Sequence, residues 1–225
     1  MSLHANNYQV PVIGFSWDSN TAWPVAKLIA DQNGPKLAQF IIDFHNKCPD
    51  ADIRLVAHSL GARVVSSTLL SLNNGRVWNP KPIESVHLMG AAINDKATSK
   101  NEPFGNAITY TVKHFYNLYD PEDNMLKIAF KDLEKQNTLG LLGLNPTQPR
   151  PSLNYTEYNV RFEISPYSNA NGTAQPDCLD DRIVGWGDNH CGYMGFRQPK
   201  PFDNMLRDDG AVNVVVADWR AIPKD

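Results

Sequence analysis

Apolar positions in this chain fall in short blocks separated by longer stretches of helical periodicity. Residues 10–15, 53–57, 85–89, 111–119 and 158–164 are runs or alternations of apolar side chains bounded by Gly, Pro, Asn or Asp, and they predict strands. Pro11 stands at the start of the first, where a missing N–H is tolerated. Between the first two strands, residues 21–32 read as a helix with Pro24 in its first turn, and Gly34-Pro35 breaks it and begins another. In that second helix Leu37, Phe40, Ile41 and Phe44 recur at i, i+3, i+4 and i+7. Residues 60–72 predict a further helix that turns Val64, Val65, Thr68, Leu69 and Leu72 inward and stops at Asn73-Asn74-Gly75. Residues 128–136 predict another, and Ala211, Val212, Val215, Val216 and Trp219 form a last helical stripe despite their β-branched content. Strands alternating with helices in this order predict an α/β fold with a parallel sheet covered on both faces.

The block that ends at Ala57 passes within four residues into a helical pattern, and Ser59 sits at the turn. A strand that throws one side chain upward and starts a helix at once needs small neighbours, and Ala57 and Gly61 flank Ser59 at two residues either side. On such an elbow the hydroxyl stands at the positive end of the following helix, where the N–H of Leu60 is placed to stabilise an oxyanion. The plainer reading of the same residues is a serine N-cap between strand and helix. The stretch Val56-Ala57-His58-Ser59-Leu60-Gly61-Ala62-Arg63-Val64 resembles the nucleophile elbow of lipase-like α/β-hydrolases, with Ala57 where the usual G-x-S-x-G pattern has its first glycine. The likeness extends from about residue 10 to about residue 219. It implies one domain over residues 1–225, an α/β-hydrolase-type three-layer sandwich whose mostly parallel sheet has five to six strands flanked by helices.

A serine hydroxyl needs a base within hydrogen-bond reach and an acid to hold that base in the right tautomer. In the family that Ser59 resembles, the chain order is Ser, then Asp or Glu, then His, and Ser59, Asp123 and His190 fall in that order. Of the six histidines, His87 and His114 lie within predicted strands, His45 on a helix and His4 near the start; His190 lies in a glycine-flanked loop close to the C-terminus, where the family carries its histidine. For the acid, Asp120 competes with Asp123. The stretch Tyr119-Asp120-Pro121-Glu122-Asp123-Asn124-Met125-Leu126 is similar to the family segment that maps its aspartate onto Asp123, which leaves Asp120 to cap the turn.

The resemblance also implies a strand before that of residues 10–15, ending in a His-Gly loop that supplies a second oxyanion N–H, and no residues of this chain correspond to it. Two expectations follow. Either a central strand is lacking and catalysis is crippled, or residues 10–15 pair beside the nucleophile strand and Phe15 or Ser16 donates the second N–H. Trp17 is expected to wall the acyl pocket; His58, beside the nucleophile, is counted with it as a substrate-side residue and equally as packing. The apolar excursion over residues 137–157 reads either as a lid or acyl-binding wall or as core packing, and residues 165–189 as a long polar loop of functional length. The activity implied is a serine esterase that forms an acyl-enzyme from a small acyl ester. A catalytically impaired homologue acting as a binding module, and an acyl transferase or thioesterase with the same triad, remain the alternatives.

Composition narrows this picture. A length of 225 residues with 42% hydrophobic content supports a sizeable core. The net charge of −3, without long runs of one sign, excludes a basic face for nucleic acid and a polybasic membrane patch. Nor does any apolar run approach the ~20 residues of a membrane span, so no integral membrane segment is expected. Cys48, Cys178 and Cys191 have neither even count nor Cys-x-x-Cys spacing, which points to a reducing compartment and a cytoplasmic location, with a Cys178–Cys191 bridge as the other option. No His or Cys pair has ligand spacing, so neither a metal nor another cofactor is expected. The oligomeric state is not legible.

Overall fold

The computed structural model describes residues 8–75, 77–78, 80–164, 190, 192–194, 196–197, 207–208 and 211–221. Four parallel strands, β1 (Arg54–His58), β2 (Ile83–Met89), β3 (Val112–Tyr119) and β4 (Tyr155–Asn159), form one sheet in the order β1-β2-β3-β4. The register is continuous across it, with Val86 beside both Leu55 and Phe115, and Phe115 beside Tyr155. Because side chains alternate along a strand, the sheet has two distinct faces. Val86, Leu88 and Phe115 point into one core with helices α1 (Trp23–Lys47), α2 (Gly61–Asn73) and α3 (Pro103–Thr111). Met89 and Leu118 point into the other, under helix α6 (Val212–Ala221), with Val215 and Trp219. Helices on both faces of a parallel sheet make this an α/β protein. Between β3 and β4 the chain forms a π-helix (Met125–Phe130) and two short helices, α4 (Lys131–Glu134) and α5 (Leu139–Leu142). A two-residue antiparallel pair, β5 (Phe196–Arg197) with β6 (Arg207–Asp208), completes the described elements.

The strand expected at residues 10–15 is not formed, and the sheet has four strands rather than five or six among the described residues. Its apolar side chains are instead exposed: Val10, Val12, Ile13 and Phe15 are 37–67% accessible. The edge of β1 away from β2 is open among the described residues, but Pro11 has no N–H to give to a ladder and the segment does not join it. It is nevertheless pinned at both ends, by Tyr8 against Trp219 and by Trp17 in the cluster of Ala26, Ala30, Leu60 and Val64.

The break expected at Gly34-Pro35 is also absent, and α1 runs on through it. Pro35 cannot donate to the carbonyl of Asp31, four residues before it. The Ser67 hydroxyl donates to that oxygen instead at 2.7 Å, and Thr68 Oγ1 donates to Gly34 O at 3.2 Å. The helix thus survives because α2 supplies the missing donor. Gly34 makes the approach possible, since a Cβ there would lie 2.3 Å from Ser67 Cβ and 2.6 Å from its carbonyl carbon. Gly34→Ala gains about 1 kcal/mol of helix propensity but overpacks a backbone contact, which costs about 1–3 kcal/mol and sometimes more. Because the Cβ would meet backbone at 2.6 Å, the cost falls at the upper end of that range, and a net loss of about 2 kcal/mol, seen as a Tm lower by about 4–8 °C in thermal unfolding, is expected. An unchanged Tm would mean that the two helices separate freely.

The last strand of the sheet begins earlier than residue 158. Tyr155 is its buried start, while Val160 and Ile164 leave the sheet through a turn, Ile164 N donating to Val160 O, and pack under α6. The excursion over residues 137–157 folds into the core through Leu139, Leu141 and Leu144. Gly140 there lies so close to Gly90 and Ala91 that a Cβ would meet the Ala91 nitrogen at 2.1 Å. Cys48 is an exposed free thiol, whereas Cys178, Cys191 and the loop of residues 165–189 lie outside the described residues. No helix among the described residues is long and apolar enough to cross a membrane.

Candidate active site

Ser59 follows the last residue of β1 with φ of +54°, a left-handed backbone that side chains with a Cβ enter at a cost of about 1–2 kcal/mol. The neighbouring strand offsets that strain. Ser59 N donates to Met89 O at 3.0 Å, and Ser59 O accepts from Ala92 N and from Ala62 N, each at 3.1 Å. Both peptide groups of the strained residue are therefore fixed by the end of β2 and the start of α2. Gly61 and Ala57 lie where the strand meets the helix, and a Cβ on Gly61 would sit 3.5 Å from the Ala57 Cβ, an ordinary contact. This explains why alanine serves in place of the first glycine of the pattern. Leu60 opens α2 with helical φ and ψ, so its N–H belongs to the first turn, whose donors have no partner within the helix.

Three side chains from distant parts of the chain meet here. His190 Nε2 lies 2.8 Å from Ser59 Oγ, and His190 Nδ1 lies 2.7 Å from Asp123 Oδ2. With Nδ1–H donating to the carboxylate, Nε2 is left as the acceptor for the serine hydroxyl. Asp123 is fully buried, and its other oxygen accepts from Leu126 N at 3.0 Å in the first turn of the π-helix. A buried carboxylate with both oxygens engaged is held in one orientation. Asp120 is the turn cap: its Oδ1 accepts from Glu122 N at 2.9 Å, its carbonyl accepts from Asp123 N, and burial raises the pKa of its carboxyl. It makes no hydrogen bond with His190 and serves to shape the bend that aims Asp123.

The other residues expected at the site are placed unequally. Trp17 packs into the cluster of Leu60 and Val64, at the flank of the elbow. Phe15 and Ser16 are exposed in the unpaired segment, and no hydrogen bond from either N–H toward Ser59 is formed. His58, expected on the substrate side or in packing, is engaged at its Nε2, which lies 2.7 Å from the carbonyl oxygen of His190. Burial, and after it the neighbouring His190, lowers its pKa to about 3, so its ring is neutral. Tyr193 is a contributor that sequence reasoning missed. It is fully buried, its hydroxyl donates to Gly140 O at 3.3 Å, and it fills the space left by Gly90, where a Cβ would approach the ring to 2.8 Å. Burial pushes its hydroxyl pKa well above the usual value. Its only sequence signal is that it follows His190 closely. Among the described residues no three His, Cys, Asp or Glu side chains gather as metal ligands.

The model of a family described as "protein of unknown function (DUF726)" matches residues 11–156. The chain belongs to this family. The stretch matched to DUF726 carries Ser59 and Asp123 with all four strands' beginnings, and ends before His190. No curated protein matches the chain.

Proposed function

We propose that this member of DUF726 is a serine hydrolase of the α/β-hydrolase type that cleaves carboxylic esters. One observation carries the reading: a strained serine at a strand-to-helix turn, a histidine nitrogen 2.8 Å from its hydroxyl and a buried aspartate 2.7 Å from the other ring nitrogen. Each member has the geometry its role requires. As Ser59 Oγ bonds to the acyl carbon, its proton passes to His190 Nε2, and the carbonyl oxygen takes up negative charge beside the Leu60 N–H. Asp123 stabilises the imidazolium. Collapse of the adduct breaks the bond to the alcohol oxygen, which leaves with the proton from Nε2, and Ser59 stays acylated. Water then attacks the same carbon, gives its proton to Nε2, and releases the carboxylic acid as Ser59 Oγ recovers its proton.

The test is covalent labelling with a fluorophosphonate and location of the adduct by peptide mass spectrometry. Modification of Ser59, competed by short-chain p-nitrophenyl esters that are turned over, is the expected result. A protein inert to both probes, or one labelled elsewhere, defeats the reading. The second reading, a binding module without turnover, is favoured by the exposed segment at Phe15 and Ser16, neither of whose N–H groups is hydrogen-bonded to Ser59. Relative rates on esters and thioesters separate the esterase from a thioesterase with the same triad.

A further inference from the structure

His58 takes no part in the proton transfers of the proposed reaction, yet it stands against the group that performs them. It is the last residue of β1 and shares a peptide bond with Ser59. Its Nε2 is 2.7 Å from His190 O, so an Nε2–H donates to that carbonyl. Its ring centroid is 4.6 Å from that of His190, the planes inclined at 44°, and 5.7 Å from that of Tyr193. His190 is thereby held at its backbone as well as at its ring.

We propose that His58 is a positioning residue, a neutral Nε2–H donor that ties the backbone of His190 to the residue next to the nucleophile and so sets the approach of His190 Nε2 to Ser59 Oγ. This rests on the hydrolase reading above. A hydrogen bond from Nδ1 to Asp123 restrains the imidazole at one edge and leaves the residue free to pivot about it. A second restraint on the carbonyl removes that freedom. The restraint also comes from the nucleophile's own strand, so a displacement of β1 carries base and serine together. An imidazole suits the place for a further reason: His190 must become cationic in turnover, and a neighbour at 4.6 Å that was itself cationic would oppose it. Burial keeps His58 uncharged. Neither a substrate contact nor plain space-filling requires a directed bond to a main-chain oxygen.

The experiment compares His58→Leu, which keeps bulk and removes the donor, with His58→Gln, whose amide can place an N–H near the same point. For a short-chain p-nitrophenyl ester, His58→Leu is expected to lower kcat about 10- to 100-fold, the effect of a small misplacement of a reacting group. KM should stay within about twofold, and fluorophosphonate labelling should slow in step with kcat. His58→Gln should recover most of the loss at equal Tm. Wild-type kcat in His58→Leu, or equal loss in two folded variants, overturns the proposal while leaving the hydrolase reading standing. A wild-type protein that neither labels nor turns over removes the hydrolase reading instead. The positioning claim is then decided by ¹⁵N-edited imidazole spectra of the wild type, which also serve if His58→Leu does not fold. A slowly exchanging His58 Nε2–H coupled to the His190 carbonyl is expected, and a freely exchanging one refutes it.

Discussion

His190→Ala is expected to lower kcat for a short-chain carboxylic ester by about 10⁵- to 10⁶-fold, the loss typical when the base of a serine triad is removed. At 1.36 kcal/mol per factor of ten this corresponds to about 7–8 kcal/mol of transition-state stabilisation. The size follows from the geometry. Ser59 Oγ has its acceptor at 2.8 Å in His190 Nε2, and no other base among the described residues is placed to take its proton. His58, the nearest other imidazole, has its Nε2 committed to a main-chain carbonyl. Removal also strands Asp123, which is fully buried and keeps, among the described residues, the Leu126 N–H as donor to its side chain. Leaving a buried carboxylate oxygen without its partner costs stability. The variant should therefore fold with modestly reduced Tm, and substrate binding, measured as KM, should change little. Activity within tenfold of wild type would show that the hydroxyl is activated by something else.

Local signals were readable and non-local ones were not. Ser59 was legible because the elbow needs a strand, a small-residue turn and a helix in immediate succession, and β1 and α2 lie where those patterns place them. The runs at 85–89 and 111–119 were legible as β2 and β3 because Val86, Leu88 and Met89, and Val112, Phe115 and Leu118, give each an apolar framework between turn residues, although Ser85, His87, Lys113, His114 and Asn117 interrupt it. Residues 10–15 have the same composition and are not a strand, since apolarity specifies burial and not the neighbour that provides it. Pro35 misled in the opposite direction. Its local effect is to break a helix, and the hydroxyl of Ser67 that cancels the effect is more than thirty residues away. His190 could be proposed from chain order, whereas the contacts that hold it, from His58 and through Tyr193 and Gly140, depend on which loops the sheet brings together. The π-helix after Asp123 had no periodic signature either. Its first turn donates Leu126 N to the carboxylate, so it belongs to the acid's support rather than to the apolar stripe that predicts an ordinary helix.

Asp123→Asn separates orientation from proton transfer, because the aspartate never touches the substrate. The amide is nearly isosteric, and Leu126 N–H still finds an oxygen if the carbonyl side of the introduced amide takes the place of Oδ1. The NH₂ group then faces His190 Nδ1 at the position where Asp123 Oδ2 accepted a proton at 2.7 Å. Two donors cannot share that contact, so the neutral imidazole moves its proton to Nε2 and Nδ1 becomes the acceptor. Nε2–H now points at Ser59 Oγ and cannot receive the serine proton. A fall of about 10⁴ in kcat is expected at neutral pH, the cost of a wrong tautomer in a triad, or about 5.4 kcal/mol at 1.36 kcal/mol per tenfold. KM and Tm should stay close to wild type. Hydroxide can deprotonate Ser59 without His190, so the residual rate should rise with pH through the alkaline range more steeply than the wild-type rate does. A loss below tenfold with normal folding would instead mean that His190 keeps its tautomer unaided, and that the buried carboxylate serves stability alone.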